Sequence, residues 1–378
     1  MSATARFAVF LTIVLTIWLA EHLYVGSRLL SLPVFSQGWA RRGVFAVMVV
    51  GFFAYFAGRS ASAKGWYGAA WVFEYGGGLW IGTVFLLVAG FIVVDCVTLG
   101  GYVLKPWVPG LRSAAVVLAL AGTLAGWIGG LVVPRVVQVE LPLPGLAEAA
   151  DGLRILQVSD LHLGAMAGRR RIDQIRALID ETRPEIVVVT GDLVDGDVAA
   201  VRRLLPELRQ IQAPGGVFAV LGNHEYYGRG GPEASRVVLA DAGFELLENR
   251  NIEVAPGVFL AAVPDDRGAS QTGHPRADLP ATLDGVPQGA SIVLLQHSPG
   301  DEELANQLGV DLMLNGHTHG GQIWPFNLLV AGPYPHYAGV RRIGPMVQVV
   351  SRGAGLWGPP MRLFAPADVV LVTLTGVE

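Results

Sequence analysis

Ile186-Val187-Val188-Val189-Thr190-Gly191-Asp192-Leu193-Val194-Asp195 is the stretch that decides the fold. Its first four residues are β-branched without a polar interruption, which reads as a strand buried on both faces. An acid stands where the apolar run stops. The order recurs along the second half of the chain. Ile155 to Val158 leads to Asp160-Leu161-His162, and Val217 to Leu221 leads to Gly222-Asn223-His224-Glu225. Ile292 to Leu295 leads to His297, and Leu312 to Leu314 leads to Gly316-His317-Thr318-His319-Gly320-Gly321. Arg169 to Thr182 carries Ile172, Ile175, Leu178 and Ile179 at helical spacing and ends before Pro184. Val201 to Ile211 predicts a further helix in which Pro206 needs an early or kinked position. Short apolar strands alternating with amphipathic stretches specify an α/β domain, which places its site at the C-terminal ends of its strands.

Any one of these motifs is more often a turn or a surface pair than a ligand set. Five of them, in order and each at a strand end, point to metal. A two-metal centre needs a carboxylate that bridges both ions, with imidazole and oxygen ligands on each. Asp192 is the candidate bridge. Asp160, His162 and His319 complete one site, and Asn223, His297 and His317 the other. His317 and His319 are two residues apart, so in an extended turn both face the same way. Gly191, Gly222 and Gly316 allow the backbone to turn sharply beside the ligands. Nitrogen and oxygen ligands without cysteine suit Mn, Fe or Zn.

The rest of the chain has different physics. Of its 378 residues, 52% are hydrophobic and only 15% charged, and the mean hydropathy is +0.47, too apolar for one soluble domain. Four apolar stretches, roughly Phe7 to Tyr24, Val44 to Ala57, Leu79 to Leu99 and Ser113 to Val133, approach the ~20 residues a membrane helix requires. In lipid only a helix satisfies its own backbone, so all four are expected to be helical. Gly122, Gly126, Gly129 and Gly130 allow close helix approach, though a general richness in glycine explains them equally well. Asp95, near the end of the third stretch, reads as interfacial. Arg28, Arg41, Arg42, Lys105 and Arg112 outnumber Arg6, Arg59, Lys64 and Arg135 on the opposite loops, a small bias that leans the C-terminal domain to the extracytoplasmic side. The net charge of −4 gives no sign of nucleic-acid binding, which calls for a basic stripe, and the single cysteine, Cys96, excludes a disulfide framework within the chain. Pro142 and Pro144 cannot continue a helix, so the expected organisation is a transmembrane region over 1–135, a linker over 136–152 and a catalytic domain over 153–378.

The ordered set Asp-x-His, Gly-Asp-x-x-Asp, Gly-Asn-His-Glu, His, Gly-His-x-His resembles the calcineurin-like metallophosphoesterase superfamily over about Asp151 to Glu378. Gly316 to Ile323 and Val349-Val350-Ser351-Arg352-Gly353 are similar to the bacterial membrane-associated subgroup of the YkuE and YaeI type. The resemblance implies a four-layer α/β/β/α sandwich and two divalent ions, Mn2+ favoured over Fe or Zn. It also implies roles: His224 binds phosphate and protonates the leaving oxygen, and Asp195 orients His224. Serine/threonine phosphatases of the superfamily carry an arginine where Gly196 stands here, which argues against protein-phosphatase activity.

The expectation is therefore a membrane-anchored, multi-pass phosphoesterase of a bacterial cell membrane, hydrolysing a phosphodiester or pyrophosphate by a hydroxide shared between the two ions, with lipid-linked esters among its candidate substrates. The alternative is a membrane sensor or scaffold carrying an inactive phosphoesterase-like domain, for which loss of a ligand would be the sign. Ile323 to Leu329, and Trp357 with Pro359-Pro360-Met361, form two apolar patches that either face lipid or pack within the sandwich. Asp265-Asp266-Arg267 lies in a Gly/Pro-rich insertion that either lines the substrate entrance or is a solvated loop.

Overall fold

The computed structural model describes residues 3–164, 166–196, 198–228 and 230–377. The chain divides into two compact units: Met1–Leu131 with Gly358–Leu363, and Val132–Trp357 with Phe364–Glu378.

The first unit holds four long helices: α1 (Ala3–Leu30), α2 (Gly38–Ala63), α3 (Tyr67–Thr98) and α4 (Val108–Leu131). All four are long and apolar enough to cross a membrane. The apolar run Val44 to Ala57 is only the middle of α2, which has 26 residues and continues through Arg41-Arg42 and Ser60-Ala61-Ser62. Helices α2 and α3 approach closely, because a Cβ added at Gly58 would meet the Glu74 backbone and one at Gly77 the Tyr55 backbone. The glycines of α4 have a different partner. Gly126 faces Met361, Gly129 faces the carbonyl of Arg362 and Gly130 that of Pro360. The Arg362 N–H donates to the Gly126 carbonyl at 2.7 Å. Pro359-Pro360-Met361 thus packs among the apolar helices and not in the sandwich. Asp95 accepts from Tyr24 Oη and Arg28 Nε, both at 2.7 Å, and from Arg112 Nη2 at 3.0 Å, so this acid is paired near the end of α3.

The second unit is built on two six-stranded sheets. The strands are β1 (Arg135–Pro144), β2 (Arg154–Val158), β3 (Ile186–Thr190), β4 (Val217–Val220), β5 (Glu245–Leu246), β6 (Arg250–Ala255), β7 (Val258–Ala262), β8 (Ser291–Leu295), β9 (Leu312–Asn315), β10 (Gly339–Ile343), β11 (Met346–Val350) and β12 (Asp368–Val377). One sheet has the order β1-β12-β2-β3-β4-β5, the other β10-β11-β9-β8-β7-β6. Their inner faces meet in one core, where Ile155, Val188 and Val220 of the first sheet pack with Leu260, Val293 and Leu312 of the second. The outer face of the first sheet is covered by the helix Arg169–Thr182 (α5) through Ile172, Ile175 and Leu178, and by Val238 and Leu239. The outer face of the second is covered by Leu279 and Ala305 on short helices. The layering is α/β/β/α, as the resemblance implies.

Two expectations are corrected. Of the linker expected over 136–152, residues 136–144 are strand: together with Arg135 they form β1, paired in parallel with β12 from Arg135↔Asp368 to Pro144↔Val377. Pro142 and Pro144 are tolerated because β1 is an edge strand, where a missing N–H breaks no central ladder. The helix expected over Val201 to Ile211 is two short ones, Val198–Arg202 and Leu205–Leu208, with Pro206 in the first turn of the second.

Candidate metal centre

Five buried strands, β2, β3, β4, β8 and β9, end at the five sequence motifs. The first three are parallel neighbours in one sheet and the last two in the other. The site therefore lies at the C-terminal edges of two packed sheets and not at the edge of one.

The loops that carry the candidate ligands are held in unusual backbone. Asp160 (φ 55°), His162 (47°), Asp192 (52°), His317 (71°) and His319 (51°) are all left-handed. Each such residue costs about 1 kcal/mol or more, and the surroundings must over-determine it. They do so here. Asp160 N donates to Gly191 O at 3.1 Å, His162 N to Asp192 O at 2.9 Å and Leu163 N to Leu193 O at 2.8 Å, lacing the first two loops together. His317 N donates to both oxygens of Asp160 at 3.0 and 3.1 Å, and Gly316 has no room for a Cβ beside Ser159 and Asp160. His317 and His319 reach the two neighbouring ligand-type groups, His317 beside Asp192 and His297 and His319 beside Asp160 and His162, through left-handed turns and not through the alternation of an extended segment.

The structure brings these side chains into two neighbouring groups. Asp160, His162 and His319 bring one ligand atom each within 4.8 Å of one another, and so do Asp192, His297 and His317. Asp192 Oδ2 lies 3.2 Å from His297 Nε2 and 3.7 Å from His162 Nε2, between the two groups. Asn223 Oδ1 lies 3.2 Å from His297 Nε2, whose ring donates through Nδ1 to the Thr190 carbonyl at 2.8 Å. His162 Nε2 faces His319 Nε2 at 3.0 Å, and His317 Nδ1 faces His297 Nε2 at 3.3 Å. Lone pairs of imidazole nitrogens, carboxylates and an amide oxygen, aimed at each other in a buried space, require protons or cations between them. This mixture of nitrogen and oxygen donors fits divalent metal.

Electrostatics follow from burial and crowding. Burial lowers His162 to about 4 and His317 to about 3, so both imidazoles are neutral donors at pH 7. Burial raises Asp160 to about 6. Burial also disfavours charge on Asp192 and His297, but each is the other's counter-ion: Asp192 stays well below, and His297 well above, its ordinary value.

His224, half-buried, sits beside this cluster with its ring 4.7 Å from that of His162. Its N–H donates to Asp192 Oδ1 at 2.9 Å, and its Nδ1 lies 3.3 Å from Asp195 Oδ1. Burial alone would lower His224, yet the Asp192 and Asp195 carboxylates lift it to about 9. Tyr227 and Trp357 approach its ring at 6.4 and 6.1 Å.

Three supports of the site carry no signal of their role in the sequence. Glu225, quoted in its motif without a role, accepts the N–H groups of Asp192 (3.0 Å), Val194 (2.9 Å) and Gly222 (2.7 Å). It ties the second loop to the third. Burial and the nearby Asp192 push it up to about 7. Gln322 exchanges two hydrogen bonds with the backbone of Trp357, both at 2.9 Å, and so sets that ring against His224. The segment after Val350 backs Asp160, with Ala354 N donating to Ser159 O at 2.8 Å and Gly355 N to Asp160 O at 2.9 Å. Of the two apolar patches, Ile323 is buried while Trp324, Phe326, Leu328 and Leu329 are exposed.

The calcineurin-like phosphoesterase family profile matches residues 153–321. A transmembrane protein with metallophosphoesterase domain from Danio rerio is 31% identical, the match covering 70% of this chain and 63% of that protein, so the chain spans less than two thirds of that relative. An uncharacterized metallophosphoesterase from Aquifex aeolicus is 35% identical, with 59% of this chain and 85% of that protein covered. The uncharacterized metallophosphoesterase YkuE of Bacillus subtilis is 30% identical, with 60% of this chain and 81% of that protein covered. By its motifs, its sandwich and these relatives, the chain belongs to the calcineurin-like metallophosphoesterase family.

Proposed function

We propose that this chain is a membrane-anchored dimetal phosphoesterase that hydrolyses a phosphodiester or pyrophosphate, with a lipid-linked or envelope phosphoester as its natural substrate. The observation that carries the reading is the position of Asp192, whose Oδ2 stands between His162 Nε2 and His297 Nε2 at 3.7 and 3.2 Å. Asp192 would bridge two ions, one held by Asp160, His162 and His319, the other by Asn223, His297 and His317. When bound, such ions supply an activated water and neutralise charge on the phosphoryl oxygens. Mn2+ is favoured, and Fe or Zn suit the same donors. The complete ligand set argues against an inactive scaffold.

The chain's own groups do the remaining work. His224 carries a proton at neutral pH and presents Nε2 away from Asp195, so it would bind a phosphoryl oxygen and protonate the leaving oxygen. Asp195 would hold its ring and keep it charged. Buried Asp160, Asp192 and His297 exclude bulk water, which strengthens each charge interaction. Gly196 offers no arginine to a phosphoprotein substrate. The four apolar helices and the exposed Trp324, Leu328 and Leu329 close after His319 favour a substrate held at a membrane. The arginine bias of the loops favours an extracytoplasmic catalytic unit, and protease protection in sealed vesicles tests that side.

The test is hydrolysis of bis-p-nitrophenyl phosphate by the Mn2+-loaded full chain and by Asp192→Asn, together with lipid-extract turnover by the same pair. Wild type should turn over and the variant should lose metal and activity together. Equal metal-dependent rates in both proteins would falsify the assignment.

A further inference from the structure

Asp265-Asp266-Arg267 opens the short helix Asp266–Thr272. Both acids are accounted for by structure. Asp265 caps the helix by accepting from Gly268 N at 2.7 Å, and its other oxygen accepts from Ser298 Oγ at 2.5 Å. Asp266 pairs with Arg276 through contacts of 2.8 and 2.5 Å. Arg267 has no such account. A cation in the first turn opposes the helix dipole, and among the described residues its guanidinium forms no ion pair. It is exposed, and its guanidinium carbon lies 5.0 Å from the centre of the Tyr334 ring.

Two anchors fix this helix beside the metal-ligand cluster. Ser298 follows His297 and holds Asp265. On the other side, a Cβ at Gly268 would stand 3.1 Å from Asn223 Cα, so the helix lies against that loop. Tyr334, nearly buried, packs its ring 5.4 Å from that of His317. The guanidinium is therefore one aromatic ring removed from the Asn223, His297 and His317 group, facing solvent and free to take an anion.

We propose that Arg267 is a specificity-determining residue that binds a second anionic group, next to the scissile phosphoryl group, so that the substrate class of this site is a diphosphate diester. This rests on the phosphoesterase reading above. A planar guanidinium suits phosphate oxygens, and its stacking on Tyr334 limits the freedom lost on binding. On a substrate with one phosphoryl group Arg267 has nothing to grip.

The experiment compares full-length wild type, Arg267→Ala and Arg267→Lys, all loaded with Mn2+, on UDP-glucose as the diphosphate diester and bis-p-nitrophenyl phosphate as the single diester. The kcat/KM ratio of the first substrate to the second should fall about 10- to 100-fold in Arg267→Ala, chiefly through KM, as expected for one charge-assisted contact. Arg267→Lys should restore part of it. An unchanged ratio, or wild-type turnover of the single diester with none of UDP-glucose, overturns this inference and leaves the phosphoesterase reading standing. No turnover of either substrate by wild type defeats that reading and this one with it. Arg267→Gln replaces the alanine variant if the latter does not fold.

Discussion

The backbone N–H of Asp192 donates to Glu225 Oε2 at 3.0 Å, and the same carboxylate receives Val194 and Gly222. The candidate bridging ligand is thus set by a buried acid that binds its loop through backbone N–H groups. Hydrogen bonds to a charged group contribute about 1.5–3 kcal/mol each, without simple additivity. Glu225→Ala leaves three donors unpaired and is expected to cost about 3–5 kcal/mol of stability. Glu225→Gln, which keeps an acceptor, should cost less and weaken metal binding. Denaturant unfolding and metal titration of the two variants check both effects.

His224 and Asp195 predict a pH dependence. His224, the proposed proton donor, is held at about 9 by Asp192 and Asp195. Activity that needs its proton is therefore present below that value and lost as pH rises through it. Asp195→Asn removes one of the charges that raise His224, so the alkaline limb should move to lower pH while metal stays bound. His224→Ala should reduce kcat by about 10²–10⁴-fold, the usual scale for a general acid. Rate profiles against pH, paired with metal analysis, separate the two roles.

Metal loading should release protons. In the metal-free site His297 is held protonated by Asp192, and an imidazolium cannot ligate. Asp160, raised to about 6, adds a second competing proton as pH falls below that value. His162 and His317, at about 4 and 3, add none at neutral pH. Affinity for Mn2+ should therefore climb from about pH 5 as Asp160 ionises and go on climbing through neutrality, with the proton released at pH 7 coming from His297. Calorimetry in buffers of different ionisation enthalpy measures the count, and zero release at pH 7 would contradict the expected state of His297.

These residues also show how far the sequence was legible. Ile186 to Val189 read as a buried strand because burial on both faces leaves a run with no polar break. The candidate ligands are legible because each follows such a run. The left-handed backbone at Asp160, His162, Asp192, His317 and His319 was not, since none is glycine and the ladder that holds them joins segments far apart. Strand β1 was hidden for the same reason: its partner β12 begins at Asp368, and two prolines in an edge strand resemble a linker. Glu225 stood in plain view, but a carboxylate that clamps backbone looks like any other acid. The role proposed for Arg267 is not legible in the sequence, because it depends on Asp265 and Asp266 having other partners in the fold.

The last prediction concerns the helical unit. Gly129 and Gly130 in α4 were equally explained by helix packing or by glycine richness, and their structural neighbours are backbone atoms of Pro360 and Arg362. A Cβ at Gly129 would run into the Arg362 carbonyl, and backbone does not yield as a flexible side-chain tip does. Gly129→Val should displace Gly358–Leu363 from α4 and break the Arg362 N to Gly126 O bond. The helix itself should persist, because valine costs an apolar helix little in lipid. The variant should therefore keep its helical circular dichroism and insert normally, yet become cleavable by protease within 358–363 in detergent. Gly122→Ala, whose added carbon meets only the tips of Leu86 and Leu363, should remain resistant. Equal protease resistance in wild type and Gly129→Val would show that the segment is held by something other than the small-residue face of α4.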